Sequence, residues 1–275
     1  MKFLSILMSA FILACSSDNS TKDDVDAEKP KSNLKVMTYN IHIANPPSKG
    51  AGFVDINAIA NVINTEKPDL VALQEVDRFT ERSGKDLDQA KAIADQTNMY
   101  YYFAKALNRS GGDYGVAILS KYPLLSTKQH ALPGADGMEA ELRTIGIVEV
   151  TLTTGEKVIF GSTHIDHKSD DSRRVQAREI ITFLKPYENI PIILGGDFNM
   201  TPENEIWNTF NTTFIRGCTV CPGTFPAVNA NTTIDYILLN KVAANKFTIK
   251  DYYTVEENYA SDHLPLIMEL EYSTE

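Results

Sequence analysis

Six places in the chain set a proton-binding or metal-binding side chain at or just past a short apolar run. Asn40 ends Met37-Thr38-Tyr39-Asn40, and Glu75 follows Leu70-Val71-Ala72-Leu73-Gln74. His164 follows Phe160-Gly161-Ser162-Thr163, and Asp197 and Asn199 follow Ile192-Ile193-Leu194-Gly195-Gly196. Asp235 sits in Thr233-Ile234-Asp235-Tyr236, and Asp262-His263 precedes Leu264-Pro265-Leu266. Singly, each has an ordinary explanation: an Asn that turns the chain, an Asp that caps a tight Gly-Gly turn, a structural His. Together, amides, carboxylates and imidazoles are the groups that phosphate-ester cleavage needs. Hard oxygen ligands suit Mg²⁺ or Mn²⁺, and imidazoles donate to phosphate oxygens or move protons. The described motifs hold no Cys or His cluster that would make a softer cage.

These residues need a scaffold that gathers strand ends, which is where binding groups collect in α/β sheets. Strands are expected over Leu34–Ile41, Leu70–Leu73, Tyr100–Ala104, Val116–Leu119, Ile190–Leu194, Ile234–Leu239 and Pro265–Glu271. Ile145–Leu152 and Val158–Thr163 read as a hairpin around Thr153-Thr154-Gly155. Helical spacing of Ile56, Ile59, Ala60 and Ile63 predicts a helix over Asp55–Thr65, capped near Asp55. Two further helices are expected over Asp86–Thr97 and Ser172–Leu184. There is no evident internal repeat. Helices mixed with strands and hairpins imply an α/β domain whose sheets are not purely parallel.

With these segments in this order, the chain resembles the endonuclease/exonuclease/phosphatase superfamily, bacterial metal-dependent hydrolase branch. The likeness is carried by Tyr39-Asn40, Gln74-Glu75-Val76, Gly112-Asp113-Tyr114-Gly115-Val116-Ala117-Ile118-Leu119-Ser120, Thr163-His164-Ile165-Asp166-His167, Gly196-Asp197-Phe198-Asn199, Ile234-Asp235-Tyr236 and Ser261-Asp262-His263. The resemblance implies a DNase I-like four-layer sandwich: two mixed β-sheets packed face to face, helices outside. It implies that Glu75 and Asn40 hold a divalent metal, Mg²⁺ or Mn²⁺, with Asp262 contributing from the far side. Asp197 would orient or deprotonate the attacking water. Asn199 would stabilise charge on the phosphoryl oxygens, and His164 would donate to another of them. His263, held by Asp235, would shuttle a proton or grip the phosphate. Either His263 or Asp197 could be the base. Arg143, Asp166 and Arg173 are candidate substrate contacts. Abasic-site repair members carry an acid two residues after the motif Asn. Here that place is His42, which argues against DNA repair.

The chain has 275 residues, 43% of them hydrophobic, which is enough for a substantial core. From Asn33 onward, 22 basic residues face 31 acidic ones, a balance of −9. That balance does not suit a protein whose main work is gripping duplex phosphates, but a bound cation inverts local electrostatics at a single site. The expected partner is therefore a phosphate-ester substrate: nucleic acid, a lipid headgroup or a phosphorylated small molecule. An extracellular nuclease and a non-catalytic surface binding protein are the alternatives.

Lys2 and the apolar run Phe3–Leu13, ending in Ala14-Cys15, read as a lipoprotein signal, with 1–14 removed and Cys15 lipidated. An ordinary secretory signal is the alternative. Residues 15–32 are polar and read as a linker, leaving residues 33–275 as the folded domain. The expected product is an exported monomer tethered to a membrane through its lipid only. In an oxidising compartment, Cys218 and Cys221 are expected to form a local disulfide that pins a loop.

Overall fold

The computed structural model describes residues 33–138 and 140–273. The export signal, Cys15 and the linker lie outside the described residues. Twelve strands are arranged in two six-stranded sheets.

The first sheet contains β1 (Asn33–Asn40), β2 (Leu70–Arg78), β3 (Tyr100–Arg109), β4 (Gly112–Ser120), β11 (Phe247–Thr254) and β12 (Leu266–Tyr272). Its order is β11-β12-β1-β2-β4-β3. The second contains β5 (Ser126–Leu132), β6 (Arg143–Thr151), β7 (Lys157–His164), β8 (Ile192–Asp197), β9 (Phe214–Arg216) and β10 (Asp235–Asn240), in the order β5-β6-β7-β8-β10-β9. Among the described residues, only β1–β2 and β7–β8 are parallel, so each sheet is mixed.

The inner faces meet in a core that includes Val36, Leu70, Ala72, Ile118, Val148 and Phe160. Helices α1 (Ile56–Glu66) and α2 (Gln89–Thr97) cover the first sheet, and α3 (Asp170–Leu184) and the short α4 (Trp207–Phe210) cover the second. A strand buried on both faces must be apolar at nearly every position. That is why Leu70–Leu73 and Ile192–Leu194 read as unbroken runs. The result is the DNase I-like four-layer sandwich.

The helices start where side chains can satisfy their free N–H groups. The Asp55 carboxylate accepts from Ala58 N at 3.0 Å, and Asp88 accepts from Lys91 N at 3.0 Å. Asp88, not Asp86, is the cap, so α2 begins three residues later than expected, and the backbone of Asp88 pairs with that of Arg78 in an isolated β-bridge. The helix α3 begins at Asp170, earlier than expected, behind Ser169. Several strands outrun the apolar segments that announced them. β2 continues past Leu73 through a bulge at Gln74-Glu75. β3 and β4 form one long hairpin whose turn, Ser110-Gly111, takes positive φ at both positions. The edge strands β5, β9 and β11 and the helix α5 (Lys241–Lys246) were not expected from the sequence.

At the sandwich centre the sheets approach closely. A Cβ on Gly195 would lie 2.9 Å from Ala72 Cβ and 3.1 Å from Thr38 Cβ, so only glycine fits there. Across the same gap runs a polar seam. Thr38 Oγ1 donates to Gln74 Oε1 at 3.3 Å, Gln74 Nε2 to Ser162 Oγ at 3.2 Å, and Ser162 Oγ to Leu73 O at 3.0 Å. This seam locks the two sheets in register directly beneath the strand ends that carry the polar side chains.

Candidate active site

The central strands of both sheets end at one place. Asn40 closes β1, Glu75 sits in the β2 bulge, His164 closes β7 and Asp197 closes β8. Pairing puts His164 beside Asp197 on one side and Asp235 beside Asp197 on the other. The loop before β12 adds Asp262 and His263. It is tied to β1 by Ser261 Oγ, which donates to Asn40 O at 2.7 Å. A cavity of about 420 Å³ opens over this junction, lined by Glu75, Asp197 and His263 on one side and by Arg143, His164 and Asn199 on the other.

Two of these residues hold unusual backbone conformations. Glu75 has φ 54° and Asn199 has φ 47°. For Glu75 this turns the side chain out of the strand alternation and towards Asn40. Such strain persists only where surrounding structure enforces it, and it gathers at functional sites.

The acidic side is organised by one amide. Asn40 Nδ2 donates to Glu75 Oε1 at 3.2 Å and to Asp197 Oδ2 at 3.0 Å, while its Oδ1 accepts from His42 N at 3.1 Å. Asp197 Oδ1 accepts from Asn199 N at 2.9 Å. Burial, reinforced by the carboxylate of Asp235, raises the Asp197 pKa to about 7. Two carboxylate oxygens drawn to one nitrogen, with more negative charge behind them, form a set that a hard divalent cation would stabilise. The residues therefore fit such an ion. Glu75 would hold it, with Asn40 fixing the carboxylate. Asp197, Asp235 and His263 also present ligand atoms within 4.8 Å of one another. In that trio, however, His263 Nδ1 is already committed to Asp235, so its geometry is that of a proton relay.

That relay is a short, buried contact. His263 Nδ1 is 2.8 Å from Asp235 Oδ2, and His263 Nε2 lies 3.8 Å from Asp197 Oδ2. Burial disfavours a charged imidazole, but Asp235, then Asp197 and Asp262, outweigh it and raise the His263 pKa to about 10. The ring packs against Phe225, centroids 4.9 Å apart. Thr224 Oγ1 accepts from Ile234 N and Asp235 N, at 3.1 and 3.2 Å, and holds the start of β10.

The opposite wall is cationic. His164 is buried, and its pKa falls well below the ordinary value because of that burial and then of Arg143, His263 and His167. Arg143 lies against His164 and His167. Arg109 pairs with Glu141, and Arg82 forks onto Asp77 at 2.7 and 2.8 Å. Both guanidiniums lie over the ring of Tyr114, at 5.6 and 5.4 Å.

Of the residues singled out from the sequence, the fold brings Asn40, Glu75, His164, Asp197, Asn199, Asp235 and His263 together, and Arg143 with them. Asp262 does not line the cavity, and its carboxylate is 3.4 Å from Ser261 Oγ, but it stands next to His263 and its charge acts on that ring. Two candidates lie elsewhere. Asp166 is fully buried, and its oxygens accept from the backbone N–H groups of Glu141, Lys168 and Ser169. Its carboxylate therefore shapes the loop after β7, and Asp166 is not among the residues lining the cavity. Arg173 is turned to Asp170 and to the carbonyl of Asp166. Cys218 and Cys221 are disulfide-bonded, outside the cavity lining. Sequence reasoning did not anticipate Arg82, Tyr114 or His167 as lining residues. For His167 a signal existed: it lies three residues past His164 in Thr163-His164-Ile165-Asp166-His167.

A family profile described as "Endonuclease/Exonuclease/phosphatase family" matches residues 37–263. Solved structures share the fold. An endonuclease/exonuclease/phosphatase from Beutenbergia cavernae aligns at 22% identity over 88% of this chain and 72% of that one, TM-score 0.73. A mannosyl-6-phosphatase of Bacteroides thetaiotaomicron aligns at 22% identity over 86% of this chain and 99% of that one, TM-score 0.68. The human Nocturnin catalytic domain with bound sulfate anion aligns at 18% identity over 88% and 94%, TM-score 0.67.

Proposed function

The chain belongs to the endonuclease/exonuclease/phosphatase family, and from that premise we propose that it is a divalent-metal-dependent hydrolase that cleaves small phosphate esters by attack of water. The observation that carries the reading is the convergence, in one cavity, of the Asp235-paired His263, the buried Asp197 and the Asn40-held Glu75.

Each group has a task its surroundings support. Asp197, with a pKa of about 7, is poised to take a proton from water near neutrality. His263, with a pKa of about 10, carries a proton at neutral pH, so it serves as donor and positive charge to the phosphoryl group. This division favours Asp197 over His263 as the base. Asn199 and His164 supply further N–H donors where charge accumulates on phosphorus oxygens. Mg²⁺ or Mn²⁺ held at Glu75 would supply Lewis-acid polarisation of the phosphoryl oxygen and leaving group.

The preference for a small ester rests on the cavity of about 420 Å³ and on the acidic balance of the domain. The B. thetaiotaomicron neighbour's description as a mannosyl-6-phosphatase points the same way. A phosphorylated sugar or similar polyol is the substrate class we favour over nucleic acid. Export and lipid attachment at Cys15 rest on the sequence pattern alone. A labelled fatty acid incorporated by the wild-type chain and not by Cys15→Ser would support them, and equal labelling would sink them.

The test of the activity is a panel: bis(p-nitrophenyl) phosphate, p-nitrophenyl phosphate, sugar phosphates, plasmid DNA and RNA, each with Mg²⁺, Mn²⁺ or EDTA. Turnover that needs metal and disappears in Asp197→Ala and His263→Ala is the expected result. Turnover that survives EDTA, or the loss of both residues, would overturn the reading.

A further inference from the structure

Arg143 opens β6 and is only 3% exposed, which is deep for a charged side chain. Its guanidinium meets two imidazoles. Nη1 lies 3.1 Å from Nδ1 of His164, and Nη2 lies 3.2 Å from Nδ1 of His167. Tyr114 lines the same cavity, and Glu141 Oε2 lies 3.8 Å from Nη2. Arg143 Nε is buried and has no partner among the described residues. Leaving a buried N–H unpaired is costly, so the side chain is held where it is by what its two terminal nitrogens touch.

A guanidinium is a donor only, has no lone pair to offer, and does not lose its proton in proteins. The nitrogen facing it on each ring must therefore be the one with the lone pair. That fixes the rest of each ring: Nδ1 accepts, and the single proton sits on Nε2. For His164 this N–H points to Asp197 Oδ2, 3.5 Å away. It also lies 3.1 Å from Nδ2 of Asn199, a second donor already committed to Ile165 O at 3.1 Å. Two N–H groups thus stand side by side at the cavity, an arrangement an incoming phosphoryl oxygen would relieve by accepting from both. His167 is exposed and lines the same cavity.

We propose that Arg143 is a positioning residue that sets the tautomer of His164 and His167 together, and that His167 is a further substrate-binding residue that donates from Nε2 to a phosphate-ester oxygen. The inference about His167 rests on the hydrolase reading above, whereas the tautomer assignment stands on geometry alone. One short, buried fork does two jobs that neighbouring carboxylates or carbonyls usually do for histidine. Because it is a cation it can only accept one outcome, with the donor N–H turned into the site.

The test begins with the unaltered protein. Selective ¹⁵N labelling of histidine, read at neutral pH with Mg²⁺, should show His164 and His167 as neutral rings protonated on Nε2. A proton on Nδ1 of His164, or on both of its nitrogens, would overturn the tautomer assignment whether or not the protein turns over any substrate. Kinetics then test the consequence. Arg143→Met should lower kcat about 100-fold with KM changed less than threefold, and His164 should lose its fixed Nε2–H signature. Arg143→Lys, which keeps the charge but not the planar two-nitrogen fork, should fall between. His167→Ala should raise KM for the best phosphate ester about tenfold, and His167→Gln, which retains a donor, should recover most of that loss. An unchanged His164 signature in a folded Arg143→Met protein, or equal kinetics for His167→Ala and wild type, would overturn the respective half. If wild type hydrolyses none of the esters in any metal, the hydrolase reading fails instead, and the nitrogen spectrum still decides the tautomer.

Discussion

The carboxylate of Asp235 lies 2.8 Å from Nδ1 of His263, and its second oxygen is buried without a partner among the described residues. All the attraction this buried charge can offer is therefore directed at one ring. That concentration fixes which nitrogen of His263 faces the cavity and keeps the ring charged far above the usual range for histidine.

Asp235→Asn should leave the contact in place sterically but remove its charge. The kcat should fall by roughly 10²–10⁴, as for other histidines deprived of an orienting carboxylate. KM should change little. Steady-state kinetics on a small phosphate ester check this, and a loss under fivefold would contradict the assigned role.

The rate should have a bell-shaped dependence on pH. Asp197 must be ionised to accept a proton, so kcat/KM should rise with pH through about 7. His263 must be protonated to donate, so kcat/KM should fall as pH passes about 10. In Asp235→Asn the alkaline limb should move down toward the ordinary histidine range, because the largest force holding the proton is gone. A limb that stays in place would assign it to another group.

Removing divalent cation should lower stability as well as activity. A cation at Glu75 beside the buried Asp197 relieves repulsion present only in the folded chain. At a concentration 100 times its dissociation constant, an ion stabilises by about 2.7 kcal/mol. For a domain of this size that corresponds to a rise in Tm of roughly 5–10 °C. Calorimetry with Mg²⁺, Mn²⁺ or EDTA measures it. Glu75→Gln should abolish most of the rise, and an unaltered rise in that variant would place the ion elsewhere.

The Cys218–Cys221 bond should matter to stability and not to chemistry. It closes a loop of four residues, for which loop entropy gives at most about 2 kcal/mol. The double variant Cys218→Ser/Cys221→Ser should melt roughly 4–8 °C lower and keep wild-type kcat/KM under oxidising conditions. A large loss of kcat/KM in a folded double variant would show that the loop shapes the cavity.

Much of the site was legible because each key group follows an apolar run that must be a buried strand. A strand end in a layered sheet has few places to go, so Asn40, His164 and Asp197 announce themselves together. Glu75 was visible as a residue, but not the bulge that aims it, since a positive φ at a glutamate leaves no mark on apolar periodicity. The edge strands β5, β9 and β11 stayed hidden because an edge need not be apolar. β5 reads Ser-Thr-Lys-Gln-His-Ala-Leu and is mostly exposed. Arg82 and Arg109 reach the cavity on long side chains from the β2–α2 loop and the β3–β4 hairpin, and the sequence pattern does not say where a flexible guanidinium ends. Asp166 illustrates the opposite error: a carboxylate inside a His-rich segment looks chemical until its hydrogen bonds prove to be spent on the local backbone.

The first strand of the domain pairs with the last: β1 lies between β12 and β2, with Asn33 opposite Glu271 and Thr38 opposite Leu266. A ribosome makes the chain in the other sense, from β1 outward, at about 5–20 residues per second. Until Leu266–Tyr272 emerges, β1 has an open edge, and the loop bearing His263 has only its own hydrogen bonds, such as Ser261 Oγ to Asn40 O, to hold it. The nascent chain therefore cannot hold a finished site at any earlier length. A stop codon or proteolytic cut that costs β12 would leave β1 without its antiparallel partner and the loop bearing His263 without the strand that follows it.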